Sequence, residues 1–343
     1  LIEFCYALCL RAVGRLSKLR SPVMERFLIG VDVGGTNIRM GIVTPEGKLL
    51  KKVQHATNIS KGGLVLFEGL VLDLKDLIRS HFRGPNQLIG VGIGLAAPID
   101  IQKGIIMEPP NLPELKGFPL RDFLQKEISS TIAIENDANA FALGEGWVGA
   151  AKGCQHYCGI TLGTGVGGGI VVEGEILHGA EGMAGEVGHM VINPEGPACG
   201  CGGKGCLEVY ASGAGIRRMA LEAIKRGGGE AILKQSGDDP QKSTSEKVFE
   251  AAKLGDLEAR NIFNEMGRFL GLGLVNLIHL FNPEKIIIGG KVSQAWDWFI
   301  RSTMETIKER AMKEPREKVE IVQALYGDDA GMLGAAYSAL KER

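Results

Sequence analysis

The chain has 343 residues, room for two domains at ~100–200 residues each, with 45% hydrophobic and 23% charged residues. That composition excludes a disordered, collagen-like or disulfide-stapled protein. Lys and Arg number 39 against 40 Asp and Glu, a formal net charge of −1, so nothing draws the whole molecule toward nucleic acid or anionic lipid.

In chain order, LIEFCYALCLRAVGRLSKLR (1–20) has its acid before the short apolar stretch and its basic residues after it, the reverse of a secretory signal. Residues 1–23 read as an upstream extension, with Met24 as the natural start, in preference to an Arg-rich organelle transit segment. FLIGVDV (27–33) predicts a buried strand that stops at Gly34-Gly35. NIRMGIVT predicts a second strand, Pro45-Glu46-Gly47-Lys48 a hairpin turn, and LLKKVQ a third strand. Residues 64–82 have helical periodicity. LIGVGIGLAAPID (88–100) reads as a strand and loop, and TIAIENDANAFALGEGWV (131–148) as a strand running into a helix. This alternation predicts α/β architecture.

The second half begins the same way. YCGITLGTGVGGGIVVEGEIL (157–177) repeats strand, Gly-rich turn, strand, Glu-Gly turn and strand. Gly34 answers to Gly163 and Glu46-Gly47 to Glu173-Gly174, at offsets of 129 and 127 residues, as an ancient duplication would leave them. Helices are expected over 245–254, 256–281 and 292–314, with KIIIGG (285–290) as a strand between the last two. No apolar run approaches the ~20 residues of a membrane span.

Glycine occurs 50 times, about twice the usual ~7% share, and much of it flanks apolar runs. Such positions suit sharp bends or close approach of a ligand. In Asp32-Val33-Gly34-Gly35-Thr36-Asn37 the bare glycine N–H groups and the Thr36 hydroxyl can hold a phosphate, with Asp32 placed for a cation. A plain hairpin turn would use the same residues. The second loop, Gly163-Thr164-Gly165-Val166-Gly167-Gly168-Gly169, has the same chemistry, and the pair favours phosphate. Gly163, Gly165 and Gly168 match G-x-G-x-x-G, but a strand follows where the dinucleotide fingerprint requires a helix. No Walker A sequence is present.

Glu135-Asn136-Asp137-Ala138-Asn139 lies where a strand meets a helix. Asp137 could cap the helix. Equally, Asn136 and Asp137 suit a polyol, the amide as donor and acceptor and the carboxylate as proton acceptor. His189, Cys199, Cys201 and Cys206 form H-x9-C-x-C-x4-C, a closed tetrahedral Zn²⁺ set with no open position for catalysis. Of the seven cysteines, Cys154 and Cys158 have no such company and read as buried or partly buried thiols. His55, His81, His156, His178 and His279 read as isolated.

Taken together these motifs resemble the ROK family (repressor, ORF, kinase), in particular its bacterial glucokinase members. The match runs from about residue 26 to the C-terminus. It rests on Asp-x-Gly-Gly-Thr-x-x-Arg (32–39), Pro-Asn-Leu (110–112), Glu-Asn-Asp-Ala-Asn (135–139), Leu-Gly-Thr-Gly (162–165), Glu-x-Gly-His (186–189) and Cys-x-Cys-Gly-x-x-Gly-Cys-x-Glu (199–208). The resemblance implies two duplicated actin/hexokinase-like (ribonuclease H-like) domains flanking an ATP cleft, with a zinc-binding loop at 186–208. We expect lobes at 24–145 and 146–325 and a C-terminal helix, 326–343, packing back on the first lobe.

The family pattern implies a hexose held by Asn111, Asn136, Asp137, Glu186, His189 and Glu208, with His189 touching both sugar and zinc. It implies ATP phosphates at Gly34, Gly35, Thr36, Thr164 and Gly165, and adenosine near Gly289 and Gly290. Asp137 is expected as general base, Mg²⁺ to bridge the ATP phosphates, and Asp32 to orient Mg²⁺ through water. Two departures stand out: Lys291 replaces a third glycine often found in the adenosine loop, and Ile99 follows Pro98 where glycine is common. The expected reaction is glucose to glucose 6-phosphate. The alternatives are a kinase for fructose, N-acetylglucosamine or N-acetylmannosamine, or a sugar-sensing regulator, for which the 25 residues before Arg26 are too short a DNA-binding domain. We further expect a cytoplasmic homodimer or higher homo-oligomer without nucleic-acid or membrane partners.

Overall fold

Each half of the chain builds one five-stranded mixed sheet. In the first, β1 (Phe27–Val33), β2 (Asn37–Val43) and β3 (Leu49–Ala56) form an antiparallel meander. Helix α1 (Gly63–His81) then crosses to β4 (Leu88–Leu95), parallel to β1. A short ribbon, β5 (Ile99–Asp100) with β6 (Ile105–Ile106), and α2 (Leu120–Glu127) precede β7 (Thr131–Asn136), parallel to β4. Helix α3 (Asp137–Trp147) follows at once. The computed structural model describes residues 25–57, 62–82, 84, 87–107, 109 and 112–342; the N-terminal extension and Asn111 lie outside them.

The second half opens with β8 (Tyr157–Leu162), β9 (Val166–Val172) and β10 (Glu175–Ile176). A long insertion carries the Cys-rich loop and then α4 (Glu208–Ala211), α5 (Gly213–Lys225), α6 (Glu230–Gln235), α7 (Ser245–Lys253) and α8 (Leu257–Phe281). The half closes with β11 (Lys285–Gly289), α9 (Trp296–Arg310), α10 (Lys313–Lys318), β12 (Glu320–Gln323) and α11 (Ala330–Lys341). The two sheets run β3-β2-β1-β4-β7 and β10-β9-β8-β11-β12, the same order with the same parallel and antiparallel neighbours. Duplication of the hairpin therefore extends to the whole sheet. The expected helix over 292–314 is divided: a 3₁₀ turn at Lys291–Ala295, then α9, then α10, whose first turn admits Pro315 because N–H groups there have no helical acceptor. Among the described residues no helix is long and apolar enough to cross a membrane.

Each sheet has its own apolar core, with Phe67 and Leu74 of α1 under the first and Phe263 and Leu274 of α8 under the second. On their other faces the sheets exchange helices. Helix α11, at the end of the second half, packs on β1 and β4 of the first sheet, while α3 packs on β8 and β9 of the second. Both helices lie on bare backbone. A Cβ added at Gly92 would stand 1.6 Å from the Ala335 carbonyl oxygen, and one at Gly30 would stand 1.9 Å from that of Met332. The helices also cross each other closely: a Cβ at Gly334 would lie 1.7 Å from the Ala140 oxygen. Much of the glycine excess thus serves helix packing, with no ligand involved.

Candidate active site

Strand register brings the site residues together. Val33 pairs with Leu95 and Leu95 with Asn136, so three parallel strands end level at their carboxyl ends, where open α/β sheets bind ligands. Asp32 stands opposite Arg39 in the β1–β2 ladder. That pairing becomes an ion pair of 3.0 Å, and Arg39 continues to Asp328 at 3.1 Å. Asp32 Oδ2 is thereby engaged. Burial raises the Asp32 carboxyl above its usual value, against the pull of Arg39.

At the start of α3 the helix cap is Asn136, not Asp137. Asn136 Oδ1 accepts from the backbone N–H groups of Ala138 at 2.9 Å and Asn139 at 3.2 Å, leaving its amide NH₂ for other partners. Asp137 occupies the first helical position, half-buried. Burial, then the negative charge of Asp32, pushes its carboxyl up to about 6, and Glu186 adds to the rise. A half-buried carboxyl raised toward neutrality on a rigid helical mount is suited to accept a proton.

Asn136, Asp137 and Glu186 line one cavity of about 100 Å³, with Pro98 and Ile99 at one side and Gly182 to Gly185 at another. Asn139 and the backbone of Gly167 and Gly168 complete it. The latter two glycines belong to strand β9, not to a phosphate loop as the sequence suggested. A Cβ at Gly168 would meet the Gly185 oxygen at 2.8 Å, and one at Gly167 would meet Ala138 at 2.8 Å. They are bare so that the cavity wall and α3 can approach.

The turns themselves are short. In the first, Gly34 N–H donates to Asn37 O at 3.0 Å, and in the second Gly163 N–H donates to Gly165 O at 3.0 Å. Gly35, Thr36 and Thr164 are exposed at the tips. Gly35 has an ordinary backbone φ, and a Cβ there would meet nothing within 4 Å. Its emptiness is open space, not strain.

Gly289 and Gly290 are bare for packing. A Cβ at Gly289 would strike the Phe141 ring at 2.5 Å, and one at Gly290, whose φ is +84°, would meet the Leu162 oxygen at 2.4 Å. The adjoining cavity, about 120 Å³, begins one residue later. Lys291 and Val292 line it with Ile216, Glu246, Phe249 and Asp328. Its far wall, on α5 and α7, carries no motif that a sequence reading could single out.

His189, Cys199, Cys201 and Cys206 converge: their donor atoms all lie within 4.8 Å of one another. His189 Nδ1 is 3.7 Å from Cys199 Sγ, and Cys201 Sγ is 3.7 Å from Cys206 Sγ. A tetrahedral ion with metal–sulfur bonds of ~2.3 Å has edges of about 3.8 Å. The backbone N–H of Gly203 lowers the Cys201 thiol below its usual range, whereas burial pushes that of Cys206 up to about 12. The residues could hold one ion.

Glu208 and His189 do not line the 100 Å³ cavity. Glu208 Oε2 accepts the Val166 N–H at 3.0 Å, and Oε1 stands 4.0 Å from Cys199 Sγ. It therefore ties the Cys cluster to the second hairpin. Two further groups were given no role from the sequence, although Glu135 stood in the 135–139 motif. Glu135, buried, accepts from Asn139 Nδ2 at 2.9 Å and Asn136 N–H at 3.0 Å. His178, which read as isolated, contacts Glu135 at 2.8 Å. Cys158 is buried and Cys154 partly so.

The sequence pattern of the ROK family matches residues 28–342. The chain is 39% identical to a glucokinase of Halalkalibacterium halodurans over 91% of this chain and 94% of that protein. It is 40% identical to a glucokinase of Thermotoga maritima, covering 92% and 98%. Among solved structures it is similar to a ROK family glucokinase from Streptomyces griseus in complex with glucose and AMPPNP. That superposition has a TM-score of 0.76 and 33% identity, and covers 91% of this chain and 98% of that one.

Proposed function

The chain belongs to the ROK family, and we propose that within it the protein is a glucokinase, transferring the γ-phosphoryl group of ATP to glucose to give glucose 6-phosphate and ADP. The observation that carries this is Asp137: a half-buried carboxyl at the start of α3, raised to about 6, in a small polar cavity beside two Gly-tipped hairpins. Glucokinases at 39% and 40% identity over some nine-tenths of the chain support it.

A sugar hydroxyl is a weak nucleophile, and phosphoryl transfer depends mainly on alignment and charge neutralisation. In this reading Asp137 accepts the hydroxyl proton. The amide of Asn136 and the carboxylate of Glu186 orient the hexose, together with Asn111, Glu208 and the His189 nitrogen not turned to Cys199. N–H groups at Gly35 and Gly165, with the Thr36 and Thr164 hydroxyls, receive the phosphates, while Gly34, its N–H given to Asn37 O, shapes the turn beneath them. Adenosine lies in the cavity beyond Gly289 and Gly290. Asp32 would orient Mg²⁺ through water, and the ion, when bound, would supply charge neutralisation on the phosphates. Zn²⁺ would be held by His189, Cys199, Cys201 and Cys206 and would brace the 186–208 loop. Free thiols and an ATP requirement suit the cytoplasm.

The test is ADP release with ATP, Mg²⁺ and a panel of glucose, fructose, N-acetylglucosamine and N-acetylmannosamine. Glucose should give the highest kcat/KM, and a higher value for another hexose would reassign the substrate. The hairpin assignment has its own check. Because a side chain at Gly35 meets only open space in the protein, Gly35→Val should fold normally yet crowd the phosphates. Calorimetry should show nucleotide binding weakened about tenfold or more, ~1.4 kcal/mol, with glucose binding within about twofold. Unchanged nucleotide affinity would remove the first hairpin from the phosphate site.

A further inference from the structure

One wall of the proposed hexose cavity comes from β7 and α3 of the first half, the other from the loop after β10 in the second. Shape and affinity then depend on what fastens one wall to the other. His178 stands at the base of that loop: its backbone oxygen accepts the Ala184 N–H at 3.0 Å, closing the turn that presents Gly182 and Met183. Its Nε2 reaches across to Glu135 Oε2 at 2.8 Å. Glu135, with only 4% of its side chain exposed, uses its other oxygen on the Asn136 N–H and the Asn139 amide. Asn136 precedes Asp137 and caps its helix. A single carboxylate thus links the loop base to the residues bearing the proton acceptor.

We infer that His178 is a positioning residue of the hexose site, clamping the loop at 178–186 to the Asn136-Asp137 corner through Glu135. The inference rests on reading this cavity as the hexose site. The backbone and amide donors to Glu135 are neutral, so among the described residues the imidazolium is the contacting group that can balance its buried charge. Charge-assisted hydrogen bonds are roughly twice as strong as neutral ones. The Glu135 contact raises the His178 pKa above its usual value despite burial. Protons reach the ring from behind, through a cavity of about 200 Å³. The other charged groups there are already paired: Lys341 with Glu175, and Glu342 with Arg121 at 3.2 Å. Tyr337 also lines this cavity.

The clamp is fullest below the raised His178 pKa and weakens as pH rises through it. Equilibrium binding of glucose and of a non-hydrolysable ATP analogue should be measured on the intact protein between pH 6 and 9. His178→Ala is expected to weaken glucose binding about tenfold or more, with ATP-analogue binding within about twofold of wild type. His178→Gln keeps a neutral donor and should recover most of the loss. The ratio of wild-type to His178→Gln glucose affinity should fall about threefold from pH 6 to 9; taking the ratio cancels the titration of Asp137. Glucose affinity unchanged in His178→Ala, parallel loss of both ligands, or a pH-independent ratio would each overturn the clamp. Wild-type protein that binds the ATP analogue but not glucose would instead overturn the hexose reading, and the clamp with it.

Discussion

Asp137→Asn lowers kcat for glucose phosphorylation by about 10²–10⁴-fold, the usual contribution of a general base, while glucose still binds. The amide is nearly isosteric, and it relieves the repulsion from Asp32 and Glu186 that helps push the carboxyl up to about 6, so the fold should not suffer. The same shift sets a pH dependence. A carboxyl must be ionised to accept a proton, so above pH 7 log(kcat/KM) in wild type should change only by the roughly threefold decline that weakening of the His178 clamp imposes. Through a midpoint near 6 it should turn to a slope of about one per pH unit on the acid side. An unshifted carboxylate would hold its activity down to about pH 4. Turnover within about threefold of wild type in folded Asp137→Asn would remove Asp137 from the role.

Cys201→Ser removes one donor from the His189, Cys199, Cys201 and Cys206 cluster. Purified wild-type protein should contain one zinc per chain by elemental analysis, and the variant little or none. Closed sites of this kind contribute folding energy directly, so the thermal midpoint should fall. The loss should be largest for glucose binding, because Glu186, His189 and Glu208 all sit on or beside the loop. Nucleotide binding should weaken as well, though less: Glu208 lies between Cys199 and the Val166 N–H, and so passes any loosening to the second hairpin. A strong chelator should reproduce the effect slowly. Active wild-type protein without zinc, or full glucose affinity in metal-free Cys201→Ser, would refute the assignment.

The strand plan was legible because local signals repeat. Apolar runs stop at Gly34-Gly35 and at Gly163, each hairpin turns back at Glu-Gly, and Glu173 and Gly174 take the positive φ values, 55° and 76°, of a tight hairpin turn. The convergence of His189 with three cysteines was legible from spacing alone. What stayed hidden depends on contacts distant in sequence. The return of a C-terminal helix to the first lobe was expected from the family resemblance, but nothing local to Gly92 or Gly334 marks where α11 lands, so bare backbone needed for packing resembles bare backbone needed for a ligand. The same ambiguity drew Gly167 and Gly168 into a turn that ends at Gly165. Asn136 and Asp137 are both good caps, and only the observed bonds decide between them. His178 meets Glu135 across 43 residues, a partnership no periodicity encodes.

A glucokinase moves one phosphoryl group from ATP to a glucose hydroxyl, and phosphorus and carbon NMR of the products from purified protein, ATP, Mg²⁺ and glucose shows that transfer directly. A single phosphomonoester at carbon 6 of glucose should form, in equal amount with ADP. ADP with inorganic phosphate and unmodified glucose, or a phosphoester at another carbon, would contradict the assignment.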